Sequence, residues 1–237
     1  MEFFLSLVIP FYNEETRLQK SLPLIVDFIR AQSFSCELIL VDDGSSDSSV
    51  RVIEEIMQRF SYQLLHNPVN QGKGNAVKRG MLAAKGKYIL FSDTDLSTPL
   101  EEAVKFFPSF DEGYDIVIGS RALDRSKVEI RQNPLREFMG RVFNLFAQTL
   151  SFKGIQDSQC GFKCFTKKAA HTLFNLQKIP GFAFDAEILY LAQKKGFQIK
   201  EESVIWRNES QSRVKILKDS LKMFRDLFRI RWLHRNL

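Results

Sequence analysis

Cysteine, histidine and tryptophan are scarce: three, three and two among 237 residues. Cys36, Cys160 and Cys164 are odd in number and fit no zinc-ligand spacing, so neither a disulfide framework nor a structural zinc site is expected. A reduced, cytoplasmic setting follows. No apolar run reaches the roughly 18 residues that a membrane span requires. The opening MEFFLSLVIPFYNEE has no basic region and no small-residue cleavage site, and reads as a first β-strand rather than a signal peptide. The chain also lacks a Pro/Ser/Gly linker and an internal repeat. One compact unit is expected over 1–212, in two halves (1–120 and 121–212), followed by a helix over 213–237.

Positive charge is also missing from most of the chain. The formal net charge is +6, yet residues 213–237 alone hold eight cations (Arg213, Lys215, Lys218, Lys222, Arg225, Arg229, Arg231, Arg235) against Asp219 and Asp226. The remainder balances, so no general nucleic-acid-binding surface is expected outside the tail. Within the tail, Leu217, Leu221, Phe224, Phe228 and Trp232 recur at three- and four-residue steps. That pattern describes a basic amphipathic helix suited to an anionic membrane surface.

What is abundant is alternation. Apolar runs at Leu5–Ile9, Glu37–Val41, Tyr62–His66, Tyr88–Phe91 and Asp115–Ile118 are separated by helical patterns near 15–32, 46–60, 74–85 and 99–107. Ser45 or Ser46 is expected to cap the second of these helices. Such a series implies a mostly parallel sheet covered on both faces, with ligands held beyond the carboxyl ends of its strands. After residue 120 the alternation breaks down. Helices are expected at 134–150, 166–176 and 184–195, and a strand at 197–206.

Three strand exits are acidic or polar: Pro10-Phe11-Tyr12-Asn13-Glu14, Asp42-Asp43-Gly44-Ser45-Ser46-Asp47 and Asp93-Thr94-Asp95. Two carboxylates one residue apart at a strand tip repel each other and lose solvation, which calls for an external cation. A hard ion such as Mg²⁺ or Mn²⁺ takes oxygen ligands and shares its shell with substrate phosphates. Lys73 opens the third helix, where a cation beside free backbone N–H groups suits an anion. Gln71-Gly72-Lys73-Gly74 is neither a Walker loop nor a full dinucleotide fingerprint.

PFYNEE, VDDGSSD, NQGKGNA, DTDLSTP and GSRA, in this order and spacing, resemble the family 2 glycosyltransferases. DSQCGFKCF (157–165), GFAFDAEIL (181–189) and VIWRNESQSRV (204–214) are similar to the polyprenyl-phosphate members, in particular the dolichyl-phosphate β-glucosyltransferase branch. The resemblance implies a GT-A fold, which is a Rossmann-like, mostly parallel sheet covered by helices. It implies a nucleotide sugar as donor, a polyprenyl phosphate as acceptor and a divalent metal. Pro10, Tyr12 and Glu14 would line the nucleotide pocket, Asp43 would bond the base, Asp93 would face ribose or diphosphate, and Asp95 would ligate the metal. Ser97 stands where some relatives add a side chain to the metal shell. Arg121 would meet a phosphate, Arg131 and Arg136 lie in the acceptor region, and Arg213 would close over the diphosphate. A guanidinium fork suits phosphate oxygens. Asp185 is the candidate base, or a helix cap.

The resulting expectation is an inverting transfer of hexose, UDP-glucose being the favoured donor, onto a lipid phosphate at the cytoplasmic membrane face. Rivals are a GDP-mannose-dependent relative, a transferase with a soluble acceptor, and a non-catalytic membrane adaptor. The adaptor predicts damaged motifs, whereas Asp43, Asp93 and Asp95 all stand. A processive synthase is not expected, because Phe228-Arg229-Ile230-Arg231-Trp232 has Phe where that class carries Gln.

Overall fold

A computed structural model describes residues 3–130, 134–207 and 216–237, with side chains described from 137 and from 220 onward in the helices that begin at 134 and 216. Seven strands form the main sheet: β1 (Leu5–Phe11), β2 (Cys36–Asp42), β3 (Gln63–His66), β4 (Tyr88–Ser92), β5 (Ile116–Ser120), β7 (Phe162–Thr166) and β8 (Ile199–Ser203), in the order β3-β2-β1-β4-β7-β5-β8. Every pairing is parallel except those of β7, which runs antiparallel between β4 and β5. Short β6 (Val128–Ile130) and β9 (Trp206–Arg207) pair separately.

Helices cover both faces. On one side lie α1 (Glu15–Ala31), α2 (Ser49–Ile56) and α4 (Phe107–Asp111). On the other lie α3 (Lys73–Ala83), α5 (Pro134–Leu150), α6 (Lys167–Leu176), α7 (Phe184–Lys194) and α8 (Ile216–Leu233). The strand period of two divides the apolar residues between these layers. Leu5, Leu7 and Ile9 of β1, with Leu38 and Leu40 of β2, pack toward α1 and α2. Val8, Ile39 and Val41 pack toward α3. Both faces are therefore apolar, as a doubly covered parallel sheet requires. The fold is the mostly parallel α/β sheet expected.

Several local expectations change. The second helix begins at Ser49, with Ser48 rather than Ser45 or Ser46 at its cap position. The two earlier serines are used elsewhere: Ser45 Oγ accepts from Asn13 N, and Ser46 N donates to Asn13 Oδ1. The segment near 99–107 is a 3₁₀ turn, Leu100–Phe106, that runs into α4. The expected strand at 197–206 is two, β8 and β9. The described part of the tail is helical over Ile216–Leu233, and its apolar residues divide. Leu227 and Ile230 are buried in the core with Met223, Phe224 and Leu233 packed beside them, whereas Leu221, Phe228 and Trp232 stand exposed on another face.

The helices lie close to the sheet. A Cβ at Gly80 of α3 would strike Val8 Cγ1 and Val41 Cγ2, and both are stiff β-branched side chains. Gly80→Ala should therefore lower the unfolding free energy by about 1–3 kcal/mol, read as a lower urea midpoint at unchanged m.

Candidate active site

The carboxyl ends of β1, β2 and β4 are tied together by their exit loops. Asn13 follows β1 in the left-handed region (φ 52°), which asparagine tolerates better than most residues. This geometry lets Asn13 Oδ1 accept from Ser46 N at 2.7 Å, while Glu14 N donates to Ser49 Oγ at 2.8 Å. Pro10 is buried near the end of β1, and its carbonyl accepts from Thr94 Oγ1 at 2.7 Å. Tyr12 is exposed at the rim, and Glu14 pairs with Arg17 at 2.9 Å.

Asp43 is buried, and both of its oxygens are occupied by the chain's own donors. Oδ1 accepts from Asn67 Nδ2 (2.8 Å) and Gln71 N (2.9 Å), and Oδ2 accepts from Gly72 N (2.8 Å). Its observed work is to hold the loop that delivers α3. Asp42 holds His66 in the same way, with Oδ2 2.6 Å from Nδ1. Gly72 (φ 100°) needs the left-handed region, and a Cβ there would strike Pro180 O.

Lys73 then projects from the first position of α3, and its Nζ lies 2.6 Å from Asp93 Oδ1. Burial alone would lower the Lys73 ammonium pKa. The carboxylates of Asp93, Asp185 and Asp95 outweigh that and raise it. Asp95 lies two residues on, across a turn in which Leu96 holds φ 48°, a strained conformation for a bulky side chain. Asp95 Oδ1 accepts from Ser97 N at 2.9 Å. Burial, then the charge of Asp93, raises the Asp95 carboxyl above its ordinary value. Gly161, in the turn before β7, faces Asp93 so closely that a Cβ would overlap its carboxylate.

The donor set suits a hard cation that shares its shell. Asp93 and Asp95 repel each other, and only one cation, Lys73, forms an ion pair with them among the described residues. No group of three or more His, Cys, Asp or Glu able to hold a metal occurs among the described residues. Diphosphate oxygens and water would have to complete the shell.

Two further ion pairs lie behind this site. Arg121 leaves β5 and grips Asp157 with two prongs, Nε to Oδ2 at 2.6 Å and Nη2 to Oδ1 at 2.7 Å, while its guanidinium lies 5.3 Å from the Trp206 ring. Burial would raise Asp157, and Arg121 overrides it and holds the carboxyl below its usual range. Asp185 sits in the first turn of α7 and does not cap it, since Ala183 is the cap residue. Its Oδ1 meets Lys163 Nζ at 2.6 Å, with both side chains buried. Burial raises the Asp185 carboxyl against the pull of Lys163 and Lys73. Arg131 and Arg213 lie outside the described residues. Arg136 falls on α5, and its side chain lies outside them as well.

Asp157, Lys163 and Gly161 were not singled out as site residues from the sequence, although all three stand in DSQCGFKCF. No strand was read over that segment, so the need of a buried Lys163 for a partner gave no signal in the sequence. Cys160 and Cys164 are buried free thiols packed in the apolar core, and burial raises their pKa values, Cys160 to about 11.

A family model for glycosyl transferase family 2 matches residues 6–174. The chain belongs to that family. A dolichyl-phosphate beta-glucosyltransferase of Dictyostelium discoideum is 38% identical, aligned over 97% of this chain and 74% of its own. The enzymes of that name from Saccharomyces cerevisiae and Homo sapiens are each 32% identical, covering 97% and 96% of this chain and 75% and 74% of their own. Among solved structures, glucosyl-3-phosphoglycerate synthase from Mycobacterium tuberculosis with bound UDP superposes with a TM-score of 0.71 at 20% identity, over 96% of this chain and 80% of the synthase. The same synthase with Mn²⁺, UDP-glucose and phosphoglyceric acid gives 0.70 at 19%, over 96% and 79%. This second likeness is one of fold, and it bears out the GT-A architecture.

Two substitutions test the site. A carboxyl raised on folding destabilises the folded state once pH exceeds its unfolded value. Asp95→Asn should therefore stabilise the metal-free protein by about 0.5–2 kcal/mol near pH 7, and melting curves should show that gain shrinking toward pH 4. Gly161→Ala should displace the Asp93 carboxylate and lower sugar-transfer kcat/KM by about 10²-fold, with circular dichroism unchanged.

Proposed function

We propose that this chain moves glucose from UDP-glucose onto a dolichyl or other polyprenyl phosphate, with inversion at the sugar carbon. The observation that carries the reading is the Lys73–Asp93 pair beside Asp95, beyond the carboxyl end of a GT-A sheet. It is supported by relatives at 32–38% identity that are dolichyl-phosphate beta-glucosyltransferases.

In this reading the donor's diphosphate lies at the start of α3, where Lys73 and the first backbone N–H groups meet negative charge. Asp93 faces the ribose or diphosphate, Pro10, Tyr12 and Glu14 wall the nucleotide, and Asp43 reaches the base through the loop that it holds in place. Mg²⁺ or Mn²⁺, when held by Asp95 and diphosphate oxygens, supplies the positive charge that makes the nucleoside diphosphate a good leaving group. The acceptor's phosphate monoester has a second pKa of about 6 and is already an anionic nucleophile near pH 7. It needs positioning more than deprotonation, which fits an Asp185 held by Lys163. Arg131 and Arg136 would orient that phosphate, and Arg213 would close over the donor diphosphate. Arg121 would join Arg131 and Arg136 at the acceptor phosphate, its guanidinium held by Asp157.

A polyprenyl phosphate stays in its bilayer, so the enzyme must reach the surface. No described helix is long and apolar enough to cross a membrane. The exposed Leu221, Phe228 and Trp232 of α8 and the exposed Phe138, Leu145 and Phe146 of α5 offer an apolar face flanked by Lys222, Arg225, Arg229 and Arg231. We assign this face to peripheral contact with the cytoplasmic side.

The test is transfer of radiolabel from UDP-glucose, with GDP-mannose in parallel, into organic-extractable lipid. Metal-dependent label from UDP-glucose is expected, falling at least about 10²-fold in Asp95→Ala. Label from GDP-mannose alone, or only into a water-soluble product, would overturn the donor or the acceptor assignment respectively.

A further inference from the structure

We propose that His234, just past the end of α8, is a positioning residue for the donor-diphosphate pocket and acts through Glu187. The proposal rests on reading the Lys73 region as the site of that diphosphate.

His234 and Glu187 are almost wholly buried, and Nε2 lies 2.6 Å from Oε1. Glu187 sits on α7 and also accepts from two consecutive backbone amides, Lys178 N at 2.9 Å and Ile179 N at 2.8 Å. The end of α8 is fastened a second time, because Lys178 Nζ donates to Leu233 O at 3.0 Å and Lys194 Nζ to His234 O at 2.9 Å. Cations at the last carbonyls of a helix are stabilising. A buried histidine–carboxylate pair is a costly way to anchor the end of a helix if anchoring were its whole role, since apolar contacts would serve.

The segment that Glu187 holds is the wall against which the start of α3 is built. Gln177 Nε2 bridges Gly74 O and Ile179 O, both at 2.9 Å, and Asn75 N donates to Pro180 O at 3.2 Å. Gly72 and Gly74 lie so close to Pro180 O, Ile179 O, Gly181 O and Phe184 Cβ that neither has room for a Cβ. Lys73 stands between those two glycines and reaches Asp93. From α8, Lys222 approaches Gly181 in the same segment. Thus the helix assigned to the membrane face is joined by hydrogen bonds and close packing, through residues 177–184, to the amides and cation that meet the diphosphate. If Glu187 loses its partner, the Lys178–Ile179 amides lose a fixed acceptor, and the wall behind Gly72 and Gly74 loosens.

The experiment is calorimetric titration of the full chain with UDP and Mn²⁺. His234→Ala should bind UDP roughly 3- to 30-fold more weakly, with the donor KM raised more than kcat is lowered. His234→Gln retains a neutral donor toward Glu187 and should recover most of the affinity. Leu227→Ala removes a buried contact of α8 without touching the clasp. It should lower the melting temperature yet leave UDP affinity unchanged. Equal UDP affinity in folded His234→Ala, or equal weakening in Leu227→Ala, would overturn the proposal alone. Failure of the unsubstituted protein to bind UDP would overturn the donor-site reading and this proposal with it.

Discussion

Asp43 spends its carboxylate on three donors from the loop that follows β3, and that small network fixes where α3 begins. Everything chemical in the site is measured from that point. Gly72 can hold its left-handed turn against Pro180 because its N–H is anchored, and Lys73 can reach Asp93 because Gly72 is in place. A hydrogen bond to a charged group stabilises by about 1.5–3 kcal/mol in a buried setting, so this network combines a structural and a positioning role.

Around it the charges alternate through otherwise apolar surroundings: Arg121 with Asp157, Lys163 with Asp185, Lys73 with Asp93. Burying ion pairs stabilises a fold little, if at all, and losing one partner is costly. Their concentration beside one sheet edge is what a preorganised electrostatic site demands, since dipoles and charges that are already oriented need no rearrangement when a charged ligand arrives. The excess is acidic at Asp93 and Asp95, where a cation is wanted, and basic on the outer face of α8.

The period-two and period-3.6 patterns made the first five strands and most helices legible, because a doubly covered parallel sheet writes its burial into every strand. β7 was not legible. FKCFT carries Lys163 as its second residue, which reads as a surface residue until Asp185, 22 positions away, is brought beside it. The DxD at the tip of β4 was plain from two carboxylates one residue apart, whereas the saturation of Asp43 was not, since its donors are two backbone amides and an asparagine placed only by the turn. Of the apolar stripe read in the tail, Leu221, Phe228 and Trp232 do share an exposed face. The second, inward face formed by Leu227 and Ile230 was missed, because it is set by the neighbour the helix packs against. His234 showed no signal, because a lone histidine on a helical pattern acquires meaning only from Glu187.

The antiparallel β7 also governs the order in which the molecule can be built. β5 pairs with β7 and β8 but not with β4, so the apparent nucleotide-binding half ending near residue 120 has no complete sheet of its own. During synthesis, β1 to β4 can pair as they emerge, but β5 must wait for Phe162–Thr166 to thread in beside it. Until then β4 presents an open edge, and open edges invite pairing with other chains. The contact of Gly161 with Asp93, just before β7, thus forms only when the sheet closes. The step that covers the β4 edge is therefore also the step that sets Asp93 against Gly161.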